Sequence, residues 1–242
     1  MQIFLAELLG TFLLILLGNG VTACAILPKS KGENGGWIVI TLGWGLAVAF
    51  AIYFVGWISG AHINPAVTLA YYLLGKVTAL ELVSYFAGQF IGAFIGAYAV
   101  FVFYKDHFFQ DKDPTYKLLS FASLPAINSK WRNLFAEALA TFVLMIGLFC
   151  LDDPRNQIPY AAHAILVGTL VVAIGCSLGG VTGYAINPFR DLAPRLVHQL
   201  VYYPNKCQSE WGYAWIPVVG PFLGATIAAI FYSQIYLKIF VG

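Results

Sequence analysis

Apolar residues in this chain run unbroken for a membrane's width at a time. Near-continuous hydrophobic sequence covers about 3–26, 37–57, 80–104, 132–151, 160–179 and 212–240. A bilayer core of about 30 Å is crossed by roughly 20 such residues in a helix, so the pattern predicts six transmembrane helices. Two intervals, 58–79 and 180–211, are too apolar for water-exposed loops, yet Gly, Asn and Pro interrupt each. Such backbone is tolerated at membrane depth only where protein or a water-filled cavity satisfies its polar groups. The connection 105–131 is polar and predicts a surface loop over one mouth of the molecule.

The two halves repeat one another. AELLGTF at 6–12 matches AEALATF at 136–142, GAHINPAVTLA at 60–70 matches GYAINPFRDLA at 183–193, and GQFIGAFIGA at 88–97 matches GPFLGATIAA at 220–229. Each half holds three spans, an odd number, so the second must enter the membrane from the opposite side. The pattern predicts a single membrane domain over residues 1–242, with inverted repeats at about 1–115 and 130–242 and two broken helices meeting at the midplane.

Asn64-Pro65 and Asn187-Pro188 read as helix starts, because Asn is a favoured cap and Pro suits the first helical position. They predict half-helices over about 65–74 and 188–199, with Ala66 and Phe189 as the third residues of the two motifs. Facing N-termini place about half a positive charge each at one depth, which repels cations and passes neutral molecules. Each Asn amide is expected to donate into the pore once its oxygen caps the helix. The extended segments before the caps should expose carbonyls, and the backbone candidates are Gly60, Ala61, His62, Ile63, Thr182, Gly183, Tyr184 and Ala185. Glu7 and Glu137 occupy matching positions inside apolar spans, where a carboxylate is costly. They read either as a proton-relay pair or as acceptors for re-entrant N–H groups; the second is preferred, because they repeat together with the half-helices.

Composition narrows the class further. Of 242 residues, 60% are hydrophobic and 10% charged, with a net charge of +2 and no basic stripe, so no nucleic-acid partner is indicated. The cysteines lack CxxC spacing and the histidines are scattered, so neither a metal site, a cofactor nor a disulfide framework is expected. No nucleophile and base cluster within the spans points to an enzyme. The first segment lacks a basic leader and a small-residue cleavage site, and is expected to stay as the first span.

On these motifs, over essentially its whole length, the chain resembles the aquaporin family (major intrinsic proteins), and within it the glycerol facilitator branch. The resemblance implies an all-α membrane protein with six transmembrane helices and two re-entrant half-helices. It implies a passive channel assembled as a homotetramer in the lipid bilayer of the plasma membrane, with a pore in every subunit and both termini cytoplasmic. The solute implied is small and neutral: glycerol first, with water, dihydroxyacetone, urea, hydrogen peroxide or undissociated lactic acid as others. The family's four-residue selectivity filter matches Trp44, Gly175, Tyr184 and Arg190, and His62 matches a pore-lining histidine. Trp with Gly implies a wide, partly apolar slot, and Asp191 after the arginine is typical of the glycerol branch.

Two positions depart from the family pattern. Tyr184 stands where Phe is usual, adding a hydroxyl that narrows the slot or favours more polar solutes. Phe189 replaces a small residue, so its ring must either enter the subunit core or tighten the waist. Arg195 is expected to snorkel to the interface. Most lysines and arginines lie on the side that the resemblance puts outside, against the positive-inside rule; the resemblance spans the whole chain and is preferred. A secondary transporter is the rival reading, but no acidic residue deep in the spans apart from Glu7 and Glu137 is available for ion coupling.

Overall fold

The structure is a computed structural model that describes residues 1–111 and 113–240. Among these residues it contains helices and no strand. In chain order the helices are α1 Gln2–Ile26, α2 Gly36–Ser59, α3 Pro65–Leu73, α4 Ala79–Phe103, α5 Lys105–Phe108, α6 Pro114–Leu119, α7 Lys130–Leu151, α8 Tyr160–Leu178, α9 Pro188–Leu200, α10 Trp211–Ala214, α11 Ile216–Phe231 and α12 Leu237–Phe240. Six stretches are long and apolar enough to cross a membrane: α1, α2, α4, α7, α8 and the run from Trp211 to Phe240. The protein is a multi-pass membrane protein, and α3 and α9 are its two half-helices.

Glycine decides where the long helices cross. A side chain at Gly92 in α4 would put its first carbon 2.2 Å from the Leu8 carbonyl of α1, and one at Gly224 in α11 would sit 2.1 Å from the Ala138 carbonyl of α7. The α2–α8 crossing is reciprocal: Gly45 lies against the Gly168 carbonyl and Gly168 against the Gly45 carbonyl, each at 2.6 Å from the missing side-chain carbon. In lipid no hydrophobic force drives helices together, so backbones that approach this closely gain dispersion contacts that larger residues would forbid. The α1–α4 pair of the first half corresponds to the α7–α11 pair of the second.

Two expectations are corrected here. The connection 105–131 is not simply a surface loop, because Phe108, Lys117, Leu118, Phe121 and Ala122 are buried. Its apolar residues recur at helical spacing through α6 and beyond, and they pack inward while the acidic residues face out. Residue 112 of this connection, and residues 241–242 at the chain's end, lie outside the described residues. Arg195 does not snorkel: it is fully buried, bonded through Nε and Nη2 to Asp191 and through Nη1 and Nη2 to the carbonyls of Ser209 and Ser123. A guanidinium with that many fixed acceptors is held in the interior, where a solvated one would reach for the interface.

Candidate functional site between the half-helices

The two half-helices meet through their caps. Asn64 Oδ1 accepts from the Ala66 N–H at 2.9 Å, and Asn187 Oδ1 accepts from the N–H groups of Phe189 and Arg190 at 3.1 Å each. The amide ends then cross over. Asn64 Nδ2 donates to the Ile186 carbonyl and Asn187 Nδ2 to the Ile63 carbonyl, both at 2.8 Å. The expected free amide is therefore half committed: of its two protons, one ties the halves together and one remains for the cavity that both asparagines line. Ile63 lines the same cavity, and its carbonyl, which accepts from Asn187, has a second lone pair left.

The segments leading to the caps share one backbone pattern. Gly60, Ala61 and Ile63 have φ of 80°, 48° and 44°, and Gly183, Tyr184 and Ile186 have φ of 80°, 38° and 43°. A non-glycine residue in this left-handed region is strained by about 1–3 kcal/mol, so something must hold it. Glu7 and Glu137, fully buried, supply the hold. Glu7 accepts from the N–H groups of His62 and Ile63 at 3.0 and 2.7 Å, from the Ser59 hydroxyl at 2.6 Å and from Gln89 at 2.8 Å. Glu137 accepts from the N–H groups of Ala185 and Ile186 at 3.0 and 2.9 Å and from the Thr182 side chain. Gly60, Ala61, His62, Ile63, Tyr184 and Ala185 line the cavity; of these, His62, Ile63 and Ala185 have their N–H groups drawn to the carboxylates. Gly183 lines a second cavity. Thr182 lines neither, because its side chain is spent on Glu137.

Two cavities, about 500 and 360 Å3, run toward each other and share Trp44, Tyr184 and Arg190 as lining residues. These three therefore form the junction. The Arg190 guanidinium lies 4.2 Å from the Trp44 ring centre, a cation–π contact, and Nη1 donates to the Ser123 hydroxyl at 3.0 Å. Trp44 is fixed by its own N–H, which donates to Thr22 at 3.0 Å, and by Gly18, where a side-chain carbon would fall 2.3 Å from the ring. Gly175 lines neither cavity. A side-chain carbon there would lie 2.5 Å from Thr41 and 2.8 Å from Cζ of Tyr184, so the room that glycine leaves is taken by the tyrosine ring. The slot is correspondingly less wide than Trp with Gly alone implies. The Tyr184 hydroxyl is itself buried beside Gly175 and is not presented to the cavity.

Phe189 leaves the cavity altogether. Its ring packs edge-on against Phe86 and Phe90 of α4, at centroid distances of 5.6 and 5.4 Å, while Pro65, Ala66 and Pro188 are buried in the half-helix junction. Asp191 accepts from the Ser123 N–H at 2.7 Å and from Arg195, so it also faces away from the cavity.

His62 lines the larger cavity and is stacked between Tyr71 and Tyr85, at 4.9 and 4.4 Å. The Thr68 hydroxyl gives its one proton to the Asn64 carbonyl. It must therefore accept from His62 Nδ1, 3.1 Å away, and from Gln89. That leaves Nε2 of neutral His62 as a bare acceptor. At the far mouth, Asp152 accepts from the Tyr71 hydroxyl and lies 2.8 Å from His163 Nε2. Burial alone would raise the Asp152 carboxyl, but those two bonds, together with the nearby charges of His163 and Lys76, hold it below its ordinary value. Among the described residues, no group of histidine, cysteine and carboxylate side chains is arranged to hold a metal ion.

Ser123, Thr22, Tyr71 and Asp152 were missed by the sequence reading. Ser123, Thr22 and Asp152 reach the site from other elements and stand in no motif, while Tyr71 lies on α3 just past the repeated stretch 60–70.

A family model described as "Major intrinsic protein" matches residues 1–232. The chain is 47% identical over 236 residues to a protein of Thermotoga maritima named "Probable glycerol uptake facilitator protein", covering 98% of this chain and 100% of that one. It is 42% identical to human "Aquaporin-9", covering 94% and 80% of the two chains. Among solved structures, the aquaglyceroporin from Plasmodium falciparum superposes with a TM-score of 0.88 at 30% identity, over 98% of this chain and 97% of that one.

Proposed function

Because the chain belongs to the major intrinsic protein family, we propose that it is a passive channel for small neutral polyols, glycerol first. The observation that carries this reading is the junction of the two cavities, where an indole face, a phenol ring and a guanidinium are the shared walls. In this reading Trp44, Tyr184 and Arg190 form the selectivity filter, with Gly175 making room behind Tyr184. A polyol has one edge of hydroxyls and one of carbon. Arg190 donates to the hydroxyl edge from a fixed fork, and the rings of Trp44 and Tyr184 pack against the carbon edge. Further along, carbonyls of the strained segments and Nε2 of His62 accept from the solute, and the remaining amide protons of Asn64 and Asn187 donate to it.

Ions meet the opposite of what they need. A cation faces Arg190 and then two helix N-termini at the same depth, and their positive potential opposes its passage. Glu7 and Glu137 serve as acceptors that hold the re-entrant backbone, since every oxygen of each has a donor within the fold. The matching caps, carboxylates and strained φ values support reading 1–115 and 130–242 as inverted repeats. The names of the relatives support glycerol as solute; water, dihydroxyacetone, urea, hydrogen peroxide and undissociated lactic acid are further small neutral candidates. The assembly is a homotetramer in the plasma membrane with both termini cytoplasmic.

The test is swelling of proteoliposomes in isosmotic solute. Glycerol should enter down its gradient, without saturation and with a weak temperature dependence. Water entry without glycerol entry would end the polyol reading, and accumulation against a gradient would establish the transporter instead.

A further inference from the structure

The backbone of Tyr184 is strained at φ 38° and its buried hydroxyl lies beside the Thr41 side chain, so the orientation of its ring depends on what packs against the ring itself. Trp37, in the first turn of α2 and outside the four filter positions, touches it from the vestibule side. The two rings meet edge to face, with centroids 5.8 Å apart and planes at 81°, a geometry in which the positive edge of one ring meets the negative face of the other. The indole N–H of Trp37 donates to the Gly175 carbonyl at 3.0 Å. That carbonyl belongs to the last turn of α8, where acceptors lack helical partners. The same ring therefore bonds the residue behind Tyr184 and contacts Tyr184 itself. Gly179 completes the stack: a side-chain carbon there would lie 2.5 Å from Cδ1 of Tyr184 and 2.8 Å from Cζ2 of Trp37.

We infer that Trp37 is a positioning residue that clamps the Tyr184 ring between α2 and the end of α8 and so sets the size cut-off of the channel. This rests on the polyol-channel reading. The clamp acts through Tyr184: without Trp37, the tyrosine ring is free to swing into the outer vestibule, and the junction opens to longer carbon chains.

The experiment compares glycerol and xylitol swelling rates for wild type, Trp37→Ala, Tyr184→Ala and the double variant, at equal amounts of folded protein. Trp37→Ala should raise the xylitol-to-glycerol ratio roughly fivefold, within the range that directly contacting pairs show. In the Tyr184→Ala background it should leave the ratio unchanged. A ratio that Trp37→Ala does not move, or moves equally in both backgrounds, overturns the clamp; the second result would make Trp37 a direct contact of the solute. Should Trp37→Ala not fold, Trp37→Phe keeps a ring on Tyr184 and loses the N–H, and a smaller shift in the same direction, again absent in Tyr184→Ala, is expected. Wild type that fails to pass glycerol would refute the polyol reading, a failure separate from any result on the ratio.

Discussion

Phe189 and Tyr184 are the two side chains at which the motif departs from its family: Phe189 turns away from the cavity, while Tyr184 keeps its ring on the cavity wall and turns only its hydroxyl away. Phe189 packs into the Phe86–Phe90 aromatic pair, and the Tyr184 hydroxyl is buried beside Gly175. Phe189→Ala should therefore be a stability variant. It removes a partly exposed ring and its edge contacts, at a cost of about 2–3 kcal/mol, below the range for a wholly buried Phe. A lower melting temperature in detergent with unchanged glycerol flux per folded channel is the expected pair of results; altered solute selectivity would place the ring at the waist. Tyr184→Phe should leave the glycerol-to-water permeability ratio within about twofold, because the atom removed is not presented to the cavity and the ring that lines it is kept. From sequence, either departure could be noticed, but neither direction could be read: a residue beside a cap points inward or outward according to which neighbouring helix supplies a hollow.

Between elements, the sequence was most legible where physics leaves one solution. Asn is a favoured cap and Pro suits the first helical position, and α3 begins at Pro65 and α9 at Pro188 as the motifs predict. The cross-bonds of Asn64 to Ile186 and Asn187 to Ile63 were not legible, because they need the two halves face to face. Glycine spacing on α4 and α11 was visible as a repeat, but its function is in the backbone approach. Gly92→Val and Gly224→Val should each cost at least about 3 kcal/mol, the upper part of the range for overpacking, since what blocks the new side chain is a carbonyl and not a flexible chain. Monodisperse yield from detergent should collapse for both. Gly20→Ala, with open space around its missing side chain, is the control and should purify as wild type. The connection 105–131 shows the reverse error: polar composition suggested exposure, yet Ser123 delivers its hydroxyl to Arg190 and its backbone to Asp191 and Arg195.

For the whole molecule, the arrangement of charge matters more than its amount. Arg190 sits at the junction, the two half-helix N-termini meet at the caps, and Asp152 lies at the far mouth, so the path is positive in its interior and negative at one end. Arg190→Val should weaken exclusion of cations or protons in a vesicle leak assay; unchanged exclusion would put the barrier wholly at the half-helix N-termini. Topology is a second molecular property. A reporter fused to the C-terminus should be found in the cytoplasm, despite a lysine and arginine distribution that favours the opposite, and native mass measurement should give four copies.

The sequence by itself determined the solvent, the number of spans and the helix starts, because burial of apolar runs in lipid, Asn capping and proline geometry are local and need no partner. Its duplication, read through the odd number of spans, also set the expectation that two half-helices face each other. Only the tertiary structure decided which groups remain free to meet a solute. One amide proton of each cap is consumed across the junction, Thr182 is consumed by Glu137, the space at Gly175 is filled by Tyr184, and Arg190 is aimed by Ser123. These are contacts between residues far apart in the chain, and each follows from a buried polar group or an empty volume that must find its complement wherever the fold places one.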